Sequence, residues 1–165
     1  MNMVEVKKVT CKRDVTDFIH LPDYIYRDCP QYVPDLRSDV RVMITPRTVN
    51  AEHGALNVQP FVAYRHDIPV GRIVGIINQR ANEKWQTKSV RFSMIEFIDD
   101  LDVSGALIEA VSKWGQSYGM TRIQGPLGIT DFDKEGMLCE NFDMTGSPNT
   151  IYNPDYYPRH MEALG

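Results

Sequence analysis

Cysteine is scarce. There are three, Cys11, Cys29 and Cys139, in 165 residues. Their number is odd, and none falls in a CxxC or beside histidine at metal-ligand spacing, which argues against a disulfide framework or a zinc site. They are expected to be reduced, buried and inert, since free cysteine is among the most buried residue types. Long apolar runs are missing too. No stretch near roughly 18 apolar residues and no secretory leader pattern occurs, so a cytoplasmic protein away from membranes is expected. Basic clusters are also absent. The 18 Lys and Arg are scattered against 22 Asp and Glu, giving a net charge of -4. That leaves no electrostatic footprint for nucleic acid. Internal repeats and low-complexity tracts do not occur either. What remains, 42% apolar and 24% charged residues, is the composition of one globular domain spanning 1–165.

The most informative stretch runs from Val90 to Gly128. It opens with Val90-Arg91-Phe92-Ser93-Met94-Ile95-Glu96-Phe97-Ile98, where β-branched and aromatic residues crowd a strand-length run. Asp99, Asp100 and Asp102 follow with helix-start chemistry. Then Val103, Ala106, Leu107, Ala110, Val111 and Trp114 recur at the spacing of one apolar helix face. Gly119 suits a helix end, and Thr121–Gln124 before Gly125-Pro126 reads as a second strand. A right-handed crossover makes the two strands parallel neighbours.

Elsewhere, Val4–Val9 alternates as a half-wet strand that starts the sheet. Asp14–His20 is predicted as a helix, with a separate turn after Pro22 and with His20 on the surface. Leu36–Val42 is a candidate short helix whose alternating charges, Asp35, Arg37, Asp39 and Arg41, suggest a solvated face. Asn50–Asn57 is polar and contains His53, taken as a solvent-exposed loop histidine. Val58–Tyr64 and Val70–Asn78, joined by the turn Arg65–Pro69, read as an antiparallel hairpin. Gly71 and Gly75 within it suggest a bulge or close approach of another backbone. Gln79–Ser89 is an exposed connection. After Pro126 a long loop is expected, then a short strand at Ile151-Tyr152. A final helix begins near Pro154, carries the stripe Tyr157, Met161 and Leu164, and ends at a cap glycine, Gly165. A last residue of this kind looks cut.

The element order, together with GRIVGIINQRANEK, FSMIEFIDD, WGQSYGMTRIQGPLG, DFDKEGML and YNPDYYPRHMEALG, resembles the GNAT (GCN5-related N-acetyltransferase) superfamily. More narrowly, it is similar to bacterial GNAT-like acyltransferases usually more than twice this long. The likeness covers nearly the whole chain. It implies an α/β (α+β) fold: a mixed, mostly antiparallel twisted sheet with a central parallel strand-helix-strand unit and helices on both faces. It further implies that this chain is the N-terminal half of a longer protein and lacks the last strand of its sheet. In that family the central strand splays from its parallel neighbour to admit the pantetheine arm of acetyl-CoA or another acyl-CoA. A loop with the pattern Arg/Gln-x-x-Gly-x-Gly/Ala then holds the pyrophosphate at a helix N-terminus. Carried onto this chain, the cofactor-binding candidates are Phe97, Ile98, Val103, Ser104, Gly105 and Ala106. The loop departs from the pattern: Asp99 stands for Arg or Gln, Asp102 for the first glycine and Ser104 for the second small residue. Three carboxylates there favour a helix start by about 0.3–1 kcal/mol each, and the same charges repel a pyrophosphate.

Acyl transfer to an amine needs a base and an acid. Glu96, a lone carboxylate in a buried strand, is the candidate base, although a partner such as Arg91 or Arg72 explains it as readily. Tyr157, in the helix where the resemblance places a general-acid tyrosine, is the candidate acid; its place in the apolar stripe also suits packing. Asp131, Asp133 and Glu135 alternate like a cation loop but lack the longer ligand series of a calcium site, so no metal is expected. Two functions follow: N-acyl transfer from acyl-CoA to a small amine with a degenerate cofactor loop in this half, or a noncatalytic module that supports a catalytic second half or binds a small ligand. A missing last strand leaves an edge or cleft exposed, so a homodimer or packing against a C-terminal half is expected.

Overall fold

The computed structural model describes residues 3–45, 56–147 and 150–165. His53 and most of its polar segment lie outside them. The elements run β1 (Glu5–Lys8), α1 (Lys12–Ile25), α2 (Arg37–Ile44), β2 (Leu56–Arg65), β3 (Ile68–Asn78), α3 (Gln79–Trp85), β4 (Ser89–Phe97), α4 (Leu101–Ser117), β5 (Arg122–Gln124) and α5 (Tyr157–Leu164). The strands form one sheet in sequence order, with antiparallel pairs throughout except β4 with β5, which are parallel. The mixed α/β architecture expected from the sequence is the one observed.

The sheet is covered on both faces because β2 and β3 alternate two apolar sets. Ile73 and Ile77 join Val103, Leu107, Val111 and Trp114 of α4 in one core. On the opposite face Val62, Val74 and Ile76 pack on Phe18 and Ile19 of α1 and Val40 and Ile44 of α2. His66 and Asp67 both take positive φ, 51° and 61°, as a two-residue hairpin turn with the twist of its strands requires. The glycines of β3 serve close approach, but of α4 side chains and not of another backbone. A Cβ on Gly75 would lie 2.8 Å from the Trp114 ring, and one on Gly71 equally near Leu107 and Val103. Gly75→Ala is therefore expected to cost about 1–3 kcal/mol through overpacking against a rigid indole. A lowered urea midpoint with unchanged slope checks this.

Three expectations need correcting. Helix α1 does not break at Pro22 but runs through it to Ile25. Proline has no N–H for the carbonyl of Phe18, and that carbonyl accepts instead from Arg72 Nη1 on β3 at 2.8 Å. No strand forms at Ile151-Tyr152. This segment is pinned by side chains: Tyr152 Oη donates to Phe142 O at 2.8 Å, and buried Asn153 bonds both the N–H and C=O of Leu138. Helix α5 begins at Tyr157, not near Pro154. Pro158 would break a helix already one turn old, whereas in a first turn its missing N–H costs nothing. The cysteines also depart from expectation: Cys11 and Cys139 are exposed and Cys29 is half-buried. Cys11 starts an exposed helix end and Cys139 sits in the polar loop, so position overrides the residue's usual burial.

Candidate functional site

Strand β4 carries an irregularity. Its pairing with β3 slips by one residue between Glu96 and Ser93, and Met94 takes φ of +48°, the geometry of a bulge. Its other edge pairs with β5 over only Ser89–Arg91, after which Leu127 N–H adds one bond to Phe92 O at 2.8 Å. Beyond that point the two strands part. Ile98 N–H still points back to Val70 O of β3 at 3.1 Å, so the N–H and C=O of Phe97 point outward into the opening.

Glu96 faces α1 and is buried. Its Oε2 accepts from Tyr26 Oη at 2.7 Å and from Tyr157 Oη at 2.8 Å. Arg72 Nη2 stands 3.8 Å from Oε1, and Oε1 receives no hydrogen bond among the described residues. Burial pushes the Glu96 carboxyl above its usual range and outweighs the opposing pull of Arg72 and the two phenols. Burial, then the charge of Glu96, also raises Tyr26 and Tyr157, so both remain protonated donors near neutral pH. The sequence candidates Glu96 and Tyr157 are thus brought into direct contact. Arg72, not Arg91, is the basic neighbour; Arg91 donates to Gly128 O.

Above Glu96 opens a cavity of about 540 Å³, bounded by Tyr32 and α2 on one side and by the 126–153 loop on the other. Among the described residues its charged lining is Asp35, Asp39, Glu96 and Asp133 against Arg72 and Lys134, an excess of acid. Most of these acids are engaged: Asp35 with Lys134 at 2.7 Å, Asp133 with Thr130 N–H at 2.8 Å and Asp39 with the Ser38 hydroxyl at 3.0 Å. Glu96 Oε1 is not.

The opening between β4 and β5 is filled by α5. Phe97 N–H donates to Tyr157 Oη at 2.8 Å and Phe97 O accepts from Tyr156 Oη at 2.6 Å. The Tyr157 ring stacks on Phe97 with centroids 4.0 Å apart. One turn on, buried His160 bridges Ser104 Oγ at 2.9 Å and Asp99 Oδ1 at 2.8 Å. A Cβ on Gly105 would sit 3.5 Å from Leu164. Val103 is wholly buried in the core and Ala106 is half-buried. The acids at this helix start have structural tasks. Asp100 caps α4 by accepting from Asp102 N–H at 3.0 Å, and its bond from Arg65 at 2.7 Å leads the effects that hold its carboxyl below the usual range.

A pantetheine arm needs free edge groups on β4, and a pyrophosphate needs free amides at the start of α4. Phe97 has both polar groups taken, Ile98 N–H is in the ladder, and Asp102, Val103 and Ser104 N–H all bond to Asp100. As folded, these residues do not fit acyl-CoA. Tyr26 and His160 were not foreseen. His160 lies one turn from Tyr157 on the same helix face, which is the signal that could have found it.

No family model matches the sequence. Among solved structures, a tandem GNAT protein from the clavulanic acid biosynthesis pathway superposes with a TM-score of 0.60 at 11% identity, over 98% of this chain and 43% of that one. The ribosomal-protein-alanine N-acetyltransferase of Brucella melitensis biovar Abortus gives 0.53 at 12% identity, over 79% of this chain and 83% of that one. The fold is that of the GNAT superfamily. An aminoglycoside acetyltransferase from an uncultured soil metagenomic sample, solved with sisomicin, gives 0.50 at 14% identity over 74% of this chain and 76% of that one. By sequence, protein YghO of Escherichia coli K12 is 30% identical over 154 residues, 93% of this chain. The chain spans 39% of the length of this curated relative.

Proposed function

We propose that this GNAT-fold domain binds a small amine in the 540 Å³ cavity, with Glu96 as the group that receives it. The observation that carries this reading is Glu96 Oε1, a carboxylate oxygen of a buried residue that lines the cavity, 3.8 Å from Arg72 and with no hydrogen bond among the described residues. An ammonium N–H in the cavity would give that oxygen a charge-assisted hydrogen bond, stronger than one between neutral groups. The acidic excess of the lining favours the same charge. Calorimetric titration with primary amines, a diamine and an amino sugar among them, tests it. Glu96→Gln is expected to weaken binding by tenfold or more, consistent with about 1.5–3 kcal/mol for a hydrogen bond to a charged group. Binding in the wild type is expected to fade as the pH falls through the raised Glu96 value, because the protonated acid no longer attracts a cation. Equal affinity in the glutamine variant, or no amine binding up to millimolar concentration, rejects the proposal.

A second reading, N-acyl transfer from acyl-CoA to that amine, is favoured by the contact of Glu96 with Tyr157. A carboxylate whose proton affinity burial raises can take the proton of a bound ammonium. Because the groove of this domain does not fit acyl-CoA as folded, the acyl donor in this reading is held outside these residues. In this reading the chain works as one half of a longer protein.

A further inference from the structure

We infer that α5 takes the place of the cofactor in this domain and that the domain, as folded, excludes CoA. The inference stands on the geometry of α5 alone and does not rest on the amine reading.

The polar contacts made by α5 fall on the positions a CoA would need. At the strand edge, two phenols satisfy both backbone groups of Phe97. Those groups became available only because β5 turns away after pairing with Arg91, so the same splay that opens a groove also obliges something to fill it. At the start of α4, His160 ties Ser104 to Asp99, and Arg159 brings a cation 3.8 Å from Asp99. The apolar contacts complete the closure: Tyr157 lies flat on Phe97, and Leu164 covers Gly105. Tyr157 is 1% exposed and His160 7%, so the bonds of Tyr157 to Phe97 and of His160 to Ser104 are shielded from bulk water, whereas Asp99 and Arg159 stand at the exposed rim.

The charges act in the same direction. Asp99 is held by His160 and Arg159, and Asp100 by Arg65. A pyrophosphate entering here would have to displace α5 and then meet Asp99, Asp100 and Asp102 without Arg159, the cation that α5 brings. Apparent affinity falls by the fraction of molecules that are open, so a docked helix lowers it in proportion. Loosening α5 from about 1% open to about half open raises the apparent affinity about fiftyfold.

Calorimetric titration of the full chain with CoA and with acetyl-CoA decides the matter, using wild type and the double variant Tyr156→Phe/His160→Ala. Both substitutions leave the Tyr157 ring and its bonds in place. Wild type is expected to bind neither compound up to millimolar concentration. The double variant, with unchanged far-ultraviolet circular dichroism, is expected to bind CoA measurably, together with faster hydrogen exchange at the Phe97 amide. Should the double variant not fold, His160→Gln alone is measured in its place, with the same expectations. Micromolar CoA binding by wild type overturns the inference, because α5 would then exclude nothing. A folded variant with faster Phe97 exchange and still no CoA binding overturns it equally, because something other than α5 would bar the cofactor. The amine titrations are read separately, so their failure leaves this result standing.

Discussion

Arg72→Met is expected to destabilise the domain by about 3–5 kcal/mol at pH 8, the usual cost of breaking a buried ion pair from one side, and by less at pH 5. Arg72 is 2% exposed and does three things at once. It closes the carbonyl that Pro22 leaves open on Phe18, stands over the Phe18 ring at 4.9 Å and provides the cationic neighbour of Glu96. Methionine keeps much of the volume and removes the charge and the donors. The pH dependence follows from the direction of the Glu96 shift. Burial raises that carboxyl and Arg72 is the largest influence opposing the rise. A carboxyl whose folded value lies above its unfolded one, near about 4.3, holds its proton better when folded. Stability therefore falls as the pH climbs from the unfolded value through the folded one. Without Arg72 the folded value goes higher still, so the fall is larger and extends to higher pH. Urea midpoints of both proteins at pH 5 and pH 8 measure this. An equal loss at the two pH values would mean that Glu96 is indifferent to Arg72 and that only packing and the Phe18 bond were removed.

The distribution of what could be read in advance follows the range of the interactions. The unit from β4 through α4 to β5 is legible because each part is local: a β-branched run, an apolar face at helical spacing ending in a buried Trp114, and a glycine with φ of +77° at position 119. Gly71 and Gly75 were legible for the same reason, since a glycine inside a strand signals a near neighbour without saying which. Pro22 misled because the donor that rescues the Phe18 carbonyl lies 54 residues away on β3, and local propensity cannot anticipate it. Glu96 could be singled out as a buried charge, but its partner Tyr26 is 70 residues distant. The same holds for the opening at β4. The departures of the 99–104 segment from the family pattern are visible in the residues. That α5 folds back and fills the groove is written only in contacts spanning 56–61 residues, such as Ser104 with His160 and Phe97 with Tyr157.

Tyr157→Phe should therefore be costly although it deletes a single oxygen. That oxygen accepts from Phe97 N–H and donates to Glu96, and Tyr157 is 1% exposed, so Phe97 N–H loses its acceptor out of reach of water and Glu96 Oε2 keeps only its bond from Tyr26. Each group left unmet costs about 1–3 kcal/mol, and a total of about 2–4 kcal/mol is expected. The ring survives, so its stack on Phe97 survives and no cavity opens. Tyr156→Phe makes a useful contrast. Its hydroxyl only donates to Phe97 O and the residue is half-buried. A carbonyl tolerates an unfilled lone pair better than an N–H tolerates having no acceptor, so about 0.5–1.5 kcal/mol is expected there. Equilibrium urea unfolding of the two variants gives the order directly, with Tyr157→Phe the less stable. The reverse order would place the hold of α5 on the strand at the carbonyl side, and Glu96 would then have to draw its stability from Tyr26 and Arg72 alone.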